Sequence, residues 1–386
     1  MQELLIAIFN GISIGSVLLI VALGLAIIFG LMGVINLAHG ELIMLGAYTT
    51  FVVQNICNSI GTPIANIYIF LAIPIAFIVV AIAGLILEKS VIRFLYGRPL
   101  ETLLATWGVS LILRQFVRSV NGVLIIGITI FCILYFGNLY FLRKCRSDWD
   151  KIKILARVII CFLSLAISIT CGFLLASPKL VKPWFSSRNV DVTAPVWLQG
   201  GLPIGDFQLP YSRIFIILLT AISLLGIYLF LNQSNWGLRI KAVTQNRSMS
   251  ACLGIPTNQV DSITFFLGSG LAGIAGCAIT LLGSVGPNTG QNYIVDAFMV
   301  VVVGGVGNLF GTVIAAMGIG ITNYLIGSGA IALILGNTES LKLLTNLFDF
   351  FATTSMAKVI VFALIIVFLQ LKPAGLFPQK GRGVEL

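Results

Sequence analysis

Long apolar runs fill most of this sequence, and lysine and arginine residues mark where the runs break. A membrane-spanning helix needs about 20 mostly apolar residues, so each long run is a candidate span. The candidate spans are residues 11–32, 40–56, 66–87, 102–120, 123–142, 154–177, 212–231, 262–283, 294–306, 308–327 and 356–372. The pattern predicts an all-α polytopic integral membrane protein with about 9–11 transmembrane helices, some of them short or broken.

The composition supports a membrane protein and excludes a soluble one. Hydrophobic residues make up 58% of the 386 residues, and charged residues only 9%. Soluble domains carry roughly 25% charged residues, so this chain could not solvate the surface of a globule of its size. The first residues lack a basic region and a small-residue cleavage site, which favours an uncleaved first membrane segment over a removable signal peptide.

The charged residues predict an orientation in the membrane. The formal net charge is +10, and basic residues cluster at 88–98, 143–157, 239–247 and 372–382. With alternating spans these clusters fall on one side, which the positive-inside rule assigns to the cytoplasm. The N-terminus is then outside and the C-terminus inside an inner (cell) membrane, and residues 189–211 form an irregular outer loop. The clusters form no aromatic-rich basic stripe, so no nucleic-acid partner is expected.

Motifs for enzymatic chemistry are missing from the sequence. There is no phosphate-binding loop of the G-x-x-x-x-G-K-[ST] type, no G-x-S-x-G and no H-E-x-x-H. With a single histidine, His39, and no C-x-x-C pair, no metal site and no cofactor are expected. The sequence favours a transport or binding role over catalysis.

Three polar side chains lie close together between the first two spans. Asn36, His39 and Glu41 are costly in or near hydrocarbon unless they are paired, and the topology puts their turn at the cytoplasmic membrane face. They either satisfy the backbone groups of the turn or take part directly in a substrate path or gate.

A second polar stretch, residues 286–296, leads into a Val-rich segment. Asp296 is an ionisable group in that segment and therefore a functional candidate. The alternative is a helix start, with Asn292 as the cap and Asp296 in the first turn. Other polar residues in apolar segments that could line a path are Asn288, Gln291 and Asn308.

A basic and polar loop follows the seventh candidate span. Its apolar residues have helical spacing over 238–253, Gly254 supplies a stop, and Pro256 follows. The pattern predicts one short amphipathic helix on the inner face of the membrane. This helix is either merely interfacial or a docking surface for a cytoplasmic partner.

At this loop the sequence resembles a known family, the membrane permease subunits of ABC importers for branched-chain amino acids and urea, with the urea-type permease most similar. The resemblance covers most of the chain outside two stretches. The segments that carry it are 24–48 (GLAIIFGLMGVINLAHGELIMLGAY), 98–118, 189–201, 236–261 (WGLRIKAVTQNRSMSACLGIPTNQVD), 268–287, 290–312 (GQNYIVDAFMVVVVGGVGNLFGT) and 371–382.

The resemblance implies a set of partners in the lipid bilayer. This subunit would form half of a translocation path with a second, related permease, above two cytoplasmic ATPase subunits and below an external substrate-binding protein. Residues 232–261 would be the coupling loop that seats on an ATPase, although the general E-A-A-x-x-x-G pattern is matched only in part. The coupling candidates are Gly237, Arg239, Lys241, Arg247, Ala251, Gly254 and Pro256.

Two stretches depart from the family pattern within the single permease domain of residues 1–386. Residues 123–188 resemble an inserted pair of membrane segments around a basic loop, and residues 328–355 are lengthened. The expected function is translocation of urea delivered by an external binding protein. The alternatives are a branched-chain amino acid or short-amide importer permease and a stand-alone urea channel.

Overall fold

A computed structural model describes residues 2–145, 149–174, 184, 188–204, 207–329 and 353–377. Helices make up most of this part of the chain, as the apolar runs predict. The helices are α1 Gln2–Met32, α2 His39–Ile60, α3 Thr62–Ala65, α4 Tyr68–Ser90, α5 Pro99–Ser119, α6 Gly122–Cys145, α7 Trp149–Leu174, α8 Tyr211–Gln233, α9 Asn235–Gln245, α10 Arg247–Cys252, α11 Thr257–Thr280, α12 Thr289–Gly304, α13 Leu309–Gly327 and α14 Thr354–Leu371. The strands are β1 Gly201–Ile204 and β2 Phe207–Pro210.

Each candidate span coincides with a helix, and the chain is an all-α polytopic membrane protein. Six of the described helices are long and apolar enough to cross a membrane: α1, α4, α6, α8, α11 and α13. Helix α12 has only 16 residues. At about 1.5 Å per residue it is too short to span the hydrocarbon core. The candidate span 294–306, which α12 largely covers, is therefore a partial span.

The chain divides into two compact units, and the larger contains residues 1–111 and 190–386. Helix α1 is central to it, with Ile20, Val21 and Leu23 fully buried. Small residues allow close helix packing around α1. A Cβ atom on Gly15 would lie 2.9 Å from the carbonyl oxygen of Ala316 in α13. Close approach of this kind replaces the hydrophobic drive that helices lack in lipid.

The smaller unit contains residues 112–189. In it the Ser168 hydroxyl of α7 donates a hydrogen bond of 2.6 Å to the carbonyl oxygen of Gly127 in α6. A serine bonded across two helices is typical of packing in lipid. All described residues of 123–188, the predicted insertion, belong to this unit, and residues 330–352 of the lengthened stretch lie outside the described part.

The predicted irregular outer loop is partly regular, which corrects the sequence interpretation. Strands β1 and β2 pair as an antiparallel hairpin, with Leu202 opposite Leu209. Glycine and proline in this stretch suggested a loop, because both residues are rare in strands. A two-stranded ribbon consists of edge strands only, and an edge strand tolerates proline because some of its N–H groups stay unpaired.

One end of the larger unit is called the basic end below. It contains the C-termini of α1, α4 and α8 together with α9 and α10. The Thr244 hydroxyl of α9 bonds to the carbonyl oxygen of Leu31 at 3.4 Å, and the Ser262 hydroxyl of α11 bonds to Glu88 of α4 at 2.9 Å.

Candidate transport site

The turn with Asn36, His39 and Glu41 lies inside the helical bundle and not at its face. A Cβ atom on Gly24 of α1 would lie 3.0 Å from Cε1 of His39. Helix α1 continues beyond Gly24 for about 12 Å before it ends at Met32. The chain therefore folds back into the bundle after α1, and the predicted place at the cytoplasmic membrane face is wrong.

Hydrogen bonds satisfy part of this turn. The side-chain oxygen of Asn36 accepts the backbone N–H of Ala38 at 3.1 Å, as the structural interpretation of the turn requires. The Ser110 hydroxyl of α5 donates to the Glu41 carboxylate at 2.9 Å. Asn36, His39 and Glu41 are all fully buried, so they line no open passage in this conformation.

Helix α5 supplies a row of polar partners that the sequence analysis missed. Thr102, Thr106 and Ser110 are buried at four-residue spacing on one side of the helix. The Thr106 hydroxyl accepts the backbone N–H of Leu37 at 3.2 Å. The signal was present in the sequence, because residues four apart share a helix face and three hydroxyls in an apolar span require partners.

The two polar stretches singled out in the sequence meet in space. A Cβ atom on Gly40 would lie 2.6 Å from the carbonyl oxygen of Gly290, so the starts of α2 and α12 touch through their backbones. Each helix N-terminus carries about half a positive charge. The structure thus brings two positive helix ends together in the interior of the bundle, where an anionic group would be stabilised.

The first turn of α12 presents amide side chains on the surface of the unit. Asn288, Gln291 and Asn292 are exposed, although α12 begins beside the buried Gly40 of α2. The helix starts at Thr289, so Asn292 lies within it and is not the predicted cap. Exposed amides at this depth are costly against lipid, which indicates that this surface faces water or another protein.

Asp296 is paired with a cation from another helix. Nζ of Lys358 in α14 lies 2.9 Å from Oδ2 of Asp296. Asp296 is two turns into α12, so the helix-start interpretation, with an acid in the first turn, is wrong. The Lys358 side chain is 41% exposed and that of Asp296 9% exposed, so the pair lies at the surface of the unit.

Asn308 has the contacts of a structural cap. Its side-chain oxygen accepts the backbone N–H groups of Phe310 and Gly311 at 3.1 and 3.2 Å, at the start of α13. Its side-chain N–H donates to the carbonyl oxygen of Phe377 at 3.3 Å. Asn308 follows the C-terminal end of α12 and lies near the basic end. Asn292 lies at the opposite end of α12.

The predicted single helix over 238–253 is two helices. Helix α9 ends at Gln245, and Asn246 is extended, with φ −152° and ψ 102°. The Asn246 side chain accepts the backbone N–H of Met249 at 3.0 Å and so caps α10. Asparagine competes with the helix backbone for hydrogen bonds, which explains the break. Gly254 has φ +80°, so the predicted glycine stop is confirmed.

Arg247 holds this loop onto the rest of the unit. Its guanidinium donates to the Asp261 carboxylate, with Nη1 to Oδ1 at 3.1 Å, and lies 5.1 Å above the Tyr96 ring. Burial, together with the carboxylates of Asp261 and Glu88, raises the pKa of Tyr96 above its ordinary range. Tyr96 therefore stays a neutral phenol under the guanidinium.

The other predicted coupling residues have local roles. The Arg239 guanidinium lies 4.8 Å above the Trp236 ring, and Nζ of Lys241 bonds to Asn232 at 2.6 Å. A Cβ atom on Gly237 would lie 2.5 Å from the Leu231 carbonyl oxygen, so only glycine fits at the corner between α8 and α9. Ala251 is exposed, and Pro256 immediately precedes α11.

Membrane helices, a partial span and a polar interior site define a multi-pass transport permease. Residues 7–369 match the family described as branched-chain amino acid transport system / permease component, and the chain belongs to that family. It is a family of transport proteins and not of enzymes.

Two relatives share low identity with the chain over most of their length, and a third matches over a shorter stretch. The high-affinity branched-chain amino acid transport system permease protein LivH of Salmonella typhimurium is 23% identical over 95% of this chain and 93% of its own. The corresponding protein BraD of Pseudomonas aeruginosa is 22% identical over 81% of this chain and 82% of its own. The probable LivH of Methanocaldococcus jannaschii is 31% identical over 27% of this chain and 33% of its own. No solved structure matches the chain significantly.

Proposed function

We propose that this chain is the membrane permease subunit of an ATP-driven importer of branched-chain amino acids. The observation that carries the proposal is the family match over residues 7–369, together with relatives whose names specify branched-chain amino acid transport. The proposed partners are a second permease, two cytoplasmic ATPase subunits and an external binding protein. The proposed orientation puts the basic end in the cytoplasm of a cell whose inner membrane contains the assembly.

The loop at the basic end supports an ATPase partner. Leu238, Met249 and Leu253 expose more than half of their surface, at 59%, 58% and 75%. Apolar side chains on polar helices outside the membrane indicate a protein contact. Beside them opens a cavity of about 880 Å³, lined in part by Lys89, Trp236 and the start of α11. We assign this surface to the ATPase.

The first turn of α12 supports a path between two permeases. The exposed amides there need an aqueous or protein environment within the membrane. A water-filled path between this chain and the second permease would supply such an environment. The surface of α12 would form one wall of the path, and the second permease would form the other. Asn288, Gln291, Asn292 and Asp296 are the proposed path residues, whereas Asn308 is assigned to capping.

The paired helix starts support an amino acid as the substrate. An amino acid carries a carboxylate, and the positive ends of α2 and α12 meet where they could stabilise one. The buried residues Asn36, His39 and Glu41 lie beside this junction, at the start of α2. We propose that it acts as a gate, because its complete burial closes the site in this conformation.

Urea is the second candidate, and the exposed amides favour it. Urea is neutral and has one acceptor oxygen and four N–H donors, so amide side chains match it without an opposite charge. The resemblance of the motifs to urea-type permeases points the same way. The family match does not extend to urea, and the named relatives favour branched-chain amino acids.

The test is stimulation of ATP hydrolysis by the purified assembly with its binding protein. We expect leucine, isoleucine or valine to stimulate hydrolysis and urea to leave it at the basal rate. Stimulation by urea alone would replace the first candidate with the second. Stimulation by neither would contradict both.

A further inference from the structure

The ion pair between α12 and α14 lies well away from the basic end of the larger unit. Asp296 is about 12 Å from the end of α12 at Gly304, and Lys358 is about 20 Å from the end of α14 at Leu371. Helix α12 ends beside the C-terminal part of α1 at the basic end, because a Cβ atom on Gly30 would lie 2.5 Å from Cα of Gly307. The segment after α14 meets α12 there, since the Leu376 N–H bonds to the carbonyl oxygen of Val303 at 2.8 Å. Neither side chain can reach the aqueous phase at that end by extending along its helix.

The position of this pair is poorly explained by stability alone. Taking two charges out of water costs several kcal/mol for each ion, and a well-packed apolar pair is often equally stable. The pair is also not sealed in the interior, since the Lys358 side chain is 41% exposed. Lys358 is the one charged residue of the apolar helix α14, and a partly exposed lysine there is costly against lipid, so we expect its surface to face water or protein.

Asp296 retains binding capacity in this arrangement. Lys358 bonds to Oδ2, and within the described part of the chain Oδ1 accepts no hydrogen bond. An ionised carboxylate has about four acceptor sites, so the lysine uses only part of them. Asn288 and Asn292 precede Asp296 at four-residue spacing, which places all three on one side of α12. One side of α12 therefore carries the exposed amides of Asn288 and Asn292 followed by the Asp296 carboxylate, whose Oδ1 can accept further hydrogen bonds.

We propose that the Asp296 carboxylate binds N–H groups of the transported solute, and that Lys358 is the positioning residue that holds this carboxylate. The inference rests on the proposed function and adds the chemistry of recognition to it. The shared chemistry is a small solute with several N–H donors, supplied either by the ammonium group of an amino acid or by the amides of urea. Lys358 also offers a cation near the site for an amino acid's carboxylate.

The decisive variant removes both charges while keeping the side chains' approximate size. Asp296→Asn combined with Lys358→Met leaves no unpaired charge, so we expect the thermal unfolding midpoint of the assembly to change little. A charge-assisted hydrogen bond to the solute is lost, and we expect uptake at saturating binding protein to fall ten- to hundredfold. Uptake within twofold of the unaltered protein would overturn the proposal.

The exchanged pair separates binding from structural support. Asp296→Lys with Lys358→Asp keeps an ion pair but moves the carboxylate from α12 to α14. We expect the unfolding midpoint to recover while uptake stays low. Recovery of both would show a structural pair and overturn the proposal. The matched control is the exposed pair Arg98 and Glu101, 3.2 Å apart, whose exchange should leave both measurements unchanged.

A conservative variant, Asp296→Glu, tests the proposal if the double variants do not form an assembly. Asp296→Glu keeps a carboxylate but shifts it by one methylene, so we expect an intermediate fall in uptake, and unchanged uptake would overturn the proposal. Labelled leucine and labelled urea, tested on the unaltered assembly, identify which N–H groups are bound. Uptake of neither would contradict the proposed function instead, so the two failures are distinguishable.

Discussion

At the scale of single residues, contacts decide what a polar or glycine residue does. Arg247 and Asn308 both belong to motifs that resemble a transport family, yet their side chains hold local structure through Asp261 and through the start of α13. Lys358 is not among the predicted site residues, and it pairs with the one carboxylate of α12. A charge reversal such as Arg247→Glu would therefore act by releasing the loop from Asp261.

Gly254 gives a residue-scale prediction. Its φ of +80° is left-handed, and a side chain there costs about 1–2 kcal/mol although the space around it is open. We expect Gly254→Ala to lower the thermal stability of the purified assembly and its coupled ATP hydrolysis, and Gly254→Pro to lower them further, because proline fixes φ near −65°.

The control is Gly226→Ala in α8. Gly226 also has open space around it, but it lies within a helix. We expect this variant to behave as the unaltered protein. Equal behaviour of Gly254→Ala and the control would contradict the assigned backbone constraint.

At the scale of elements, the contact between the starts of α2 and α12 is the feature on which the candidate site depends. The backbones approach so closely that a methyl group on Gly40 would collide with the carbonyl oxygen of Gly290. Backbone atoms cannot rotate away as a side chain can. The two helix starts would have to separate, and overpacking of this kind costs typically about 1–3 kcal/mol.

We therefore expect Gly40→Ala to insert into the membrane but to lose most of its ATP-driven uptake. The measurement is uptake by vesicles with equal amounts of inserted assembly. Gly283→Ala, in the connection before α12, is the matched control, because nothing lies within 4 Å of its added methyl group. Normal uptake by Gly40→Ala would contradict a functional junction at this place.

The elements also show what sequence can and cannot predict. The spans follow from apolar runs because lipid imposes one requirement on every residue of a span. The depth of the turn after α1 does not follow, since it depends on Gly24 meeting His39 across helices. The start of α12 at Thr289 was missed because its first turn is polar and resembles a loop. The polar face of α5 was predictable from its spacing.

At the scale of the whole molecule, the basic end and the body of the larger unit differ in what they present. The basic end has exposed apolar residues on α9 and α10, whereas the body contains a buried polar junction and, at its surface, the ion pair of α12. The proposed path and the proposed docking surface are therefore separate, and helices connect them. Such a division suits a permease whose energy comes from another subunit.

The central claim is that this chain moves its solute only when partner ATPases drive it. The direct measurement is uptake of labelled leucine and urea by sealed vesicles that contain either this chain alone or the complete assembly with its binding protein. We predict uptake by the complete assembly when ATP is present on the side of the membrane that carries the ATPases. We predict no uptake by the chain alone, or by the complete assembly without ATP. Uptake by the chain alone at a comparable rate would contradict the account and indicate a stand-alone channel.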